Sequence, residues 1–110
     1  MKINEYQELA QRTANPELTQ FEKIENGLMG CCGEAGEAID ILKKHRFQNH
    51  ELDREKLILE LGDILWYLAQ TAVGLGVDLE FIAAKNIEKL NKRYPVKFNA
   101  EQSINRDNDK

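Results

Sequence analysis

Four carboxylates occur in two pairs, and each pair has a spacing that places both members on one face of a helix. Glu34 and Glu37 are three residues apart, as are Glu60 and Asp63 further along the chain. Residues at positions i and i+3 of a helix are neighbours on its surface, so each pair can present two carboxylates to one point. Carboxylate ligands favour hard divalent cations, here Mg²⁺ with Mn²⁺ as a substitute, over zinc or iron. The two pairs therefore predict a metal site, provided that the helices carrying them meet.

The same acids have two other interpretations. A di-iron helical bundle requires Glu-x-x-His, and neither His45 nor His50 follows a glutamate at that spacing. The second is a solvated acidic face without a function, which is the usual meaning of a single Glu-x-x-Glu. Two such pairs on adjacent helices, one of them on an otherwise apolar helix, favour the metal site.

The periodicity of apolar residues predicts an all-α fold with four helices, over about residues 3–14, 18–45, 53–75 and 78–94. Asn15-Pro16 ends the first helix, Asp53 and Asp78 resemble N-caps, and Gly74 and Gly76 supply the stop of the third helix. We expect a four-helix-type bundle over residues 1–98, completed by oligomerisation, followed by a polar, disordered tail over residues 99–110.

The loop between the second and third helices decides whether the two carboxylate pairs meet. The chain rises about 12 Å from Glu37 to His45 and falls about 10 Å from Asp53 back to Glu60, at 1.5 Å per residue. In an antiparallel hairpin that turns near residues 46–52, the two pairs lie at nearly the same height. We therefore expect all four carboxylates to converge on one site.

Glycine is unusually frequent in the second helix, at every third position: Gly27, Gly30, Gly33 and Gly36. Each costs about 1 kcal/mol relative to alanine inside a helix, so tertiary structure must offset the cost. Two compatible explanations remain open. The glycines allow close helix packing, or the missing side chain of Gly30 leaves room beside Glu34.

The third helix is apolar over an arc of roughly 200°, about twice the width found on an ordinary surface helix. We expect it to be central or buried between subunits. Its narrow polar stripe consists of Lys56, Glu60, Asp63 and Tyr67.

Composition and charge restrict the partners. The net charge is −4, which disfavours a nucleic-acid polymer or an acidic membrane surface. No stretch approaches the roughly 20 apolar residues of a transmembrane helix. The adjacent Cys31 and Cys32 cannot form an undistorted disulfide within a helix and are expected to be reduced thiols. We therefore expect a cytoplasmic protein with a small-molecule substrate.

The paired motifs resemble those of the MazG-like nucleotide pyrophosphohydrolases, which are all-α enzymes. The resemblance rests on Glu-x-x-Glu at 34–37 and Glu-x-x-Asp at 60–63, followed by Ile-Leu-Trp-Tyr-Leu-Ala at 64–69. It continues through Lys-Asn-Ile-Glu-Lys-Leu at 85–90 and Arg-Tyr-Pro at 93–95, and it covers most of residues 20–98.

The resemblance implies a magnesium-dependent enzyme that cleaves nucleoside triphosphates between the α and β phosphates, releasing a monophosphate and pyrophosphate. It implies that Glu34, Glu37, Glu60 and Asp63 bind the metal, with Glu37 and Glu60 as catalytic residues and Glu37 orienting the attacking water. It also implies substrate contacts from Lys56, Tyr67, Asn86, Lys89 and Arg93.

Less specific roles exist for several of these residues. Lys89 and Arg93 can lie on an exposed helix end and only offset the helix dipole, and Tyr67 can be part of the core. Trp66, on the other side of the third helix, suits packing or an interface. Because a single short copy would complete its pocket from a partner, we expect a homodimer or homotetramer. The alternative function is a catalytically idle module that binds nucleotide or metal.

Overall fold

A computed structural model describes residues 1–94 and 100–104 of the chain. Every regular element within these residues is helical, which confirms the all-α class. The elements are α1 (Ile3–Ala10), a short 3₁₀ helix (Gln11–Thr13), α2 (Gln20–Phe47), α3 (Arg54–Leu75), α4 (Leu79–Arg93) and α5 (Ala100–Ile104). The chain forms two compact units, Met1–Leu79 and Glu80–Lys110.

Local hydrogen bonds determine where the two long helices begin and end. Thr19 and Glu22 form a reciprocal capping box, so α2 starts two residues later than the periodicity predicts. Asp53 caps α3 by accepting a hydrogen bond from the backbone N–H of Lys56 at 3.0 Å, as predicted. Gly76, with φ of 72°, ends α3 in the left-handed conformation that favours glycine.

The first helix is shorter than expected because its last turn tightens. The segment Gln11–Thr13 is a 3₁₀ helix, and the Thr13 hydroxyl donates to the carbonyl of Ala10 at 3.2 Å. This bond satisfies one of the carbonyls that a helix leaves unpaired at its C-terminus. The chain then becomes extended at Ala14, before Asn15-Pro16.

Helices α2 and α3 form an antiparallel hairpin that dominates the first unit. Two glycines of α2 allow a close approach of the helices in the half distant from their connecting loop. A Cβ added to Gly27 would collide with the hydroxyl and backbone of Thr71, and one added to Gly30 would collide with the ring of Tyr67. The two glycines therefore serve close packing. The space beside Gly30 is occupied by Tyr67 and is not left open for Glu34. Gly33 and Gly36 have no neighbour within 4 Å and serve neither purpose in the single chain.

Helix α1 is attached to this hairpin by buried polar side chains. The side-chain amide of Gln7 donates to the carbonyl of Val77 at 3.0 Å and accepts from the N–H of Leu79 at 2.7 Å. The indole N–H of Trp66 donates to the Ala10 carbonyl and to the Thr13 hydroxyl, at 3.1 and 2.9 Å. Trp66 therefore packs α3 against the first helix, as expected. These bonds fix the N-terminal segment over the second half of α3.

The hydrophobic core of the first unit is small. It consists of Ala10, Ala69, Ala72 and Leu79, with Tyr6, Leu65, Trp66 and Val77 packed around it. Large apolar side chains remain exposed on both long helices, among them Phe21, Met29, Ile39, Ile58 and Leu59, each at least 62% exposed. A surface of this kind is typical of an interface.

Helix α3 is long and apolar enough to span a membrane by length and composition alone, which differs from the expectation drawn from the sequence. The core helix of a soluble protein meets the same criterion. Glu60 and Asp63 interrupt the helix near its middle, and α3 packs against α2 along its length. The criterion is therefore weak evidence for a membrane segment.

The second unit contains α4 and the short α5. Helix α4 begins at Leu79 and ends at Arg93, within one residue of the predicted bounds. Helix α5 lies where a disordered tail was expected, in a stretch that includes the good helix formers Ala100 and Glu101. The remainder of the predicted tail, residues 99 and 105–110, lies outside the described residues, as does Pro95.

Candidate metal centre

Three of the four predicted carboxylates converge. Glu34 on α2 and Glu60 and Asp63 on α3 each place a carboxylate oxygen within 4.8 Å of the other two. Glu34 and Glu60 are half-buried, whereas Asp63 is exposed, so the cluster opens to solvent on one side. The pairing of α2 with α3 creates this cluster because it brings the middle of one helix level with the first half of the other.

The electrostatics of the cluster are those of acids without a counter-charge. The pKa of Glu34 is raised, first because its protonated carboxyl can hydrogen-bond to Glu60. Burial and then the charges of Asp63, Glu60 and Glu37 raise it further. No lysine or arginine forms an ion pair with these acids among the described residues.

Glu60 gives the most direct indication of a ligand. Its Oε2 atom is buried and has no hydrogen-bond partner within the part of the chain that the structure describes. A buried, unpaired carboxylate oxygen is costly unless a cation or a donor reaches it. Three carboxylates at this spacing fit one hard divalent cation, which removes the repulsion and binds the unpaired oxygen. The residues present therefore fit Mg²⁺.

Glu37 lies close to this cluster but outside it. It follows Glu34 by one turn of α2, and its charge contributes to the raised pKa of Glu34. Its side chain is exposed, and it is not among the three acids whose oxygens lie within 4.8 Å of one another. The metal role predicted for Glu37 stays a prediction.

The polar stripe of α3 extends away from the cluster in both directions. Lys56 is exposed one turn before Glu60, and its backbone N–H takes part in the N-cap. Tyr67 lies one turn after Asp63, half-buried, with its ring against Gly30 and edge-on to Trp66 at 5.0 Å. Tyr67 thus contributes to the packing of the hairpin and borders the acidic cluster at the same time.

The three residues predicted on α4 belong to the second unit. Asn86 and Lys89 are exposed. Arg93 is only 8% exposed, so the interpretation of an exposed basic helix end is wrong for this residue. Its Nε has no hydrogen-bond partner among the described residues. Substrate contacts from these three side chains remain predictions.

Two residues near the site were missed by the sequence interpretation. Burial, followed by the charge of Asp63, raises the pKa of Tyr6, which places this phenol of α1 within reach of the cluster's field. Gln70 is 3% exposed on α3. A signal for Gln70 was available, since it follows Asp63 by seven residues and therefore continues the polar stripe on the same helix face. No comparable signal in the sequence connected Tyr6 with the acids.

Comparison with known proteins identifies the family to which the chain is similar. The profile of the MazG nucleotide pyrophosphohydrolase domain matches residues 21–98, the stretch that contains both carboxylate pairs. The chain is also similar to the Gene 37 protein of Mycobacterium phage L5, at 37% identity, with 84% of this chain and 89% of that protein covered. No solved structure gives a significant match.

Proposed function

This chain belongs to the family of MazG nucleotide pyrophosphohydrolase domains, and on that premise we propose that it hydrolyses nucleoside or deoxynucleoside triphosphates to the monophosphate and pyrophosphate. The observation that carries the proposal is the convergence of Glu34, Glu60 and Asp63 across the helical hairpin, with an unpaired buried oxygen on Glu60. Such a cluster attracts a divalent cation, and a triphosphate needs one to approach an acidic protein.

Glu34, Glu60 and Asp63 hold the metal in this proposal, with Mg²⁺ as the ion and Mn²⁺ as a substitute. Acidic clusters of this kind suit the divalent-metal dependence that is general in the family. When bound, the ion supplies a Lewis acid that draws negative charge away from the phosphate oxygens. The three carboxylates fix its position between the two helices.

The protein's own side chains supply the remaining chemistry. Glu37, exposed beside the cluster and outside the group of three, orients a water molecule and accepts its proton. The water oxygen forms a bond to the α-phosphorus, and the bond from that phosphorus to the bridging oxygen breaks, so pyrophosphate leaves. Lys56 lies one turn from Glu60 and binds phosphate oxygens, and Asn86, Lys89 and Arg93 contribute further substrate contacts from α4.

The functional form is a homodimer or homotetramer in this proposal. Support comes from the small core of the single chain and from the exposed apolar side chains on α2 and α3, including Met29, Ile39 and Leu59. Burial of this surface against a second copy would stabilise the helices by about 25 cal/mol for each Å² removed from water. Light scattering after size-exclusion chromatography measures the assembly, and a monomer at micromolar concentration contradicts it.

A nucleotide panel tests the reaction. The protein is incubated with ribo- and deoxynucleoside triphosphates in the presence of Mg²⁺, and the products are separated and identified. We expect a monophosphate and pyrophosphate. Release of a diphosphate and orthophosphate contradicts the assigned bond cleavage. Tight nucleotide binding with no product would indicate the idle binding module instead.

The metal assignment is tested with a matched pair of variants. Glu60→Gln removes a charge from the cluster, whereas Glu25→Gln makes the same change at an exposed position of α2. We expect Mg²⁺ to raise the melting temperature of the wild type and of Glu25→Gln, because ligand binding stabilises the native state. The rise should be lost in Glu60→Gln, together with turnover. An equal Mg²⁺ effect in both variants excludes Glu60 as a ligand.

A further inference from the structure

A small cavity lies beside the acidic cluster, on the side nearest the N-terminal segment. Its volume is about 180 Å³, and its lining includes two aromatic rings and three polar side chains with hydrogen-bond donors, namely Trp66, Tyr67, Lys23, Asn26 and Gln70. Sites for drug-sized ligands measure roughly 300–1,000 Å³, so this cavity suits one ring system and is too small for a whole nucleotide. It lies entirely within the first compact unit.

Gln70 is the unusual member of this lining. Only 3% of its surface is exposed, and its Nε2 is buried without a hydrogen-bond partner among the described residues. A buried amide that makes no hydrogen bond destabilises the folded protein, because folding removes its bonds to water and supplies none in exchange. A role in packing alone would be served better by an apolar residue. Because Gln70 lines the cavity, a ligand there that accepts a hydrogen bond would supply the missing bond.

The position of Gln70 relates the cavity to the phosphate chemistry. Gln70 follows Asp63 by seven residues, so the two side chains leave α3 on the same face, about 10 Å apart along the helix axis. Tyr67 lies between them and borders both the cluster and the cavity. A nucleotide with its phosphates at the carboxylates reaches the cavity when its base extends along α3 in this direction.

We propose that the cavity receives the base of the nucleotide and that Gln70 selects a single-ring base by donating a hydrogen bond from Nε2 to a ring carbonyl. This inference rests on the proposed function and adds the part of the substrate that sets specificity. Lys23, half-buried in the same lining, is a second donor. Together with Asn26 these donors favour a base that presents carbonyl oxygens, such as uracil, over adenine, which has none and is larger.

The only tryptophan of the chain lies in the cavity wall, which makes binding measurable without turnover. The full-length protein is titrated with dUMP and with dAMP while the emission of Trp66 is followed. We expect dUMP to change the emission at concentrations at least about tenfold lower than dAMP. Equal affinity for the two, or tighter binding of dAMP, overturns the proposal.

The role of Gln70 is tested by Gln70→Met, which keeps the length of the side chain and removes the amide. The matched control is Gln48→Met, the same change at the exposed C-cap of α2. Gln70→Met should weaken dUMP binding about tenfold, the effect of one lost hydrogen bond in a buried site, and leave dAMP binding and the control unchanged. Unchanged dUMP affinity, or an equal loss for both nucleotides, contradicts the assignment.

Folding and turnover of the variant separate the possible failures. Gln70→Met should melt no lower than the wild type, since it replaces an unpaired buried amide with an apolar group. If it does not fold, Gln70→Leu, which also removes the donor from this position, is expected to show the same loss of dUMP binding.

The kinetic readout then distinguishes this inference from the proposed function. With dUTP as substrate, KM should rise about tenfold while kcat changes little, because the bond to the base is present before and during the reaction. A wild type that binds dUMP as described but releases no pyrophosphate contradicts the proposed function and leaves the base site standing. If the wild type turns over dUTP and Gln70→Met does so identically, the proposed function stands and the role of Gln70 at the base site is contradicted.

Discussion

The glycines of α2 offer a stringent test of the hairpin, because the same substitution should have opposite effects at two positions of one helix. Gly27→Ala adds a methyl group at a close approach of α2 to α3, whereas Gly33→Ala adds one where nothing lies within 4 Å. Both changes carry the same gain in helix propensity, about 1 kcal/mol relative to glycine. Any difference between them therefore measures the contact alone.

The magnitude at Gly27 follows from what the methyl group would meet. Its neighbours include the backbone nitrogen of Thr71 and the backbone oxygen of Tyr67, both at 3.0 Å, as well as the Thr71 hydroxyl. Overpacking of a close-packed site costs typically 1–3 kcal/mol, and backbone atoms cannot rotate away, so we take about 3 kcal/mol. After the gain in propensity, Gly27→Ala should be about 2 kcal/mol less stable than the wild type. Gly33→Ala should be about 1 kcal/mol more stable.

Urea unfolding followed by circular dichroism measures both variants at the same protein concentration. The expected difference between them is about 3 kcal/mol in the free energy of unfolding. Equal effects of the same sign would refute the close approach at Gly27. Repeating the experiment at several protein concentrations tests whether a second copy covers the open face. If it does, Gly33→Ala destabilises the assembled protein, and this destabilisation disappears as the protein dissociates on dilution.

Three further predictions concern the attachments and caps of the helices. Gln7→Leu removes the acceptor of the buried Leu79 N–H and should lower the free energy of unfolding, measured by thermal melting, by about 1–3 kcal/mol. Gln48→Leu, at an exposed site, should change it little. Trp66→Phe keeps an aromatic side chain, smaller by one ring, but loses the donor to the 3₁₀ turn, so stability should fall by at least about 1 kcal/mol, and an unchanged melting temperature would exclude that bond. Hydrogen bonds of the capping box lower the pKa of Glu22. The stability that the ionised Glu22 contributes to the fold is therefore present above the ordinary pKa of a glutamate and is lost as the pH falls through the lowered pKa. Melting between pH 6 and pH 3 should therefore fall less steeply for Glu22→Ala than for the wild type, and parallel curves would contradict this.

The sequence predicted those features of the fold that depend on periodicity and caps. The helical class, the end of α3 at Gly76 and the N-cap at Asp53 follow from local chemistry, because each is determined within a few residues. The periodicity predicts a start of α2 that is two residues too early, because the capping box of Thr19 and Glu22 and not the apolar pattern determines where the helix begins. The end of α1 was placed too late, since the tightening to a 3₁₀ turn depends on contacts of Thr13 and Trp66 with Ala10.

Only part of the candidate site follows from the sequence, because helix geometry predicts the position of the acids and tertiary packing determines the rest. Helix rise and loop length are sufficient to bring Glu34 level with Glu60 and Asp63, and the structure brings these three acids together. The cavity beside them could not be predicted, because its lining comes from three separate segments, and only their packing creates the space. The sequence likewise does not reveal that the room beside Gly30 is filled by Tyr67, since this depends on the rotation of one helix against the other.

The distribution of close contacts along the hairpin also has a consequence for local stability. Helices α2 and α3 touch through glycine at Gly27, Gly30 and Gly74, all in the half distant from the loop, and the buried residues of α3, Ala69, Gln70, Thr71 and Ala72, lie in the same half. Amide hydrogen exchange should therefore be slowest around Thr71 and should become faster towards the loop as local opening becomes easier. The acids lie at the boundary between these two regimes. We therefore expect amide exchange near Glu60 to be faster than exchange near Thr71.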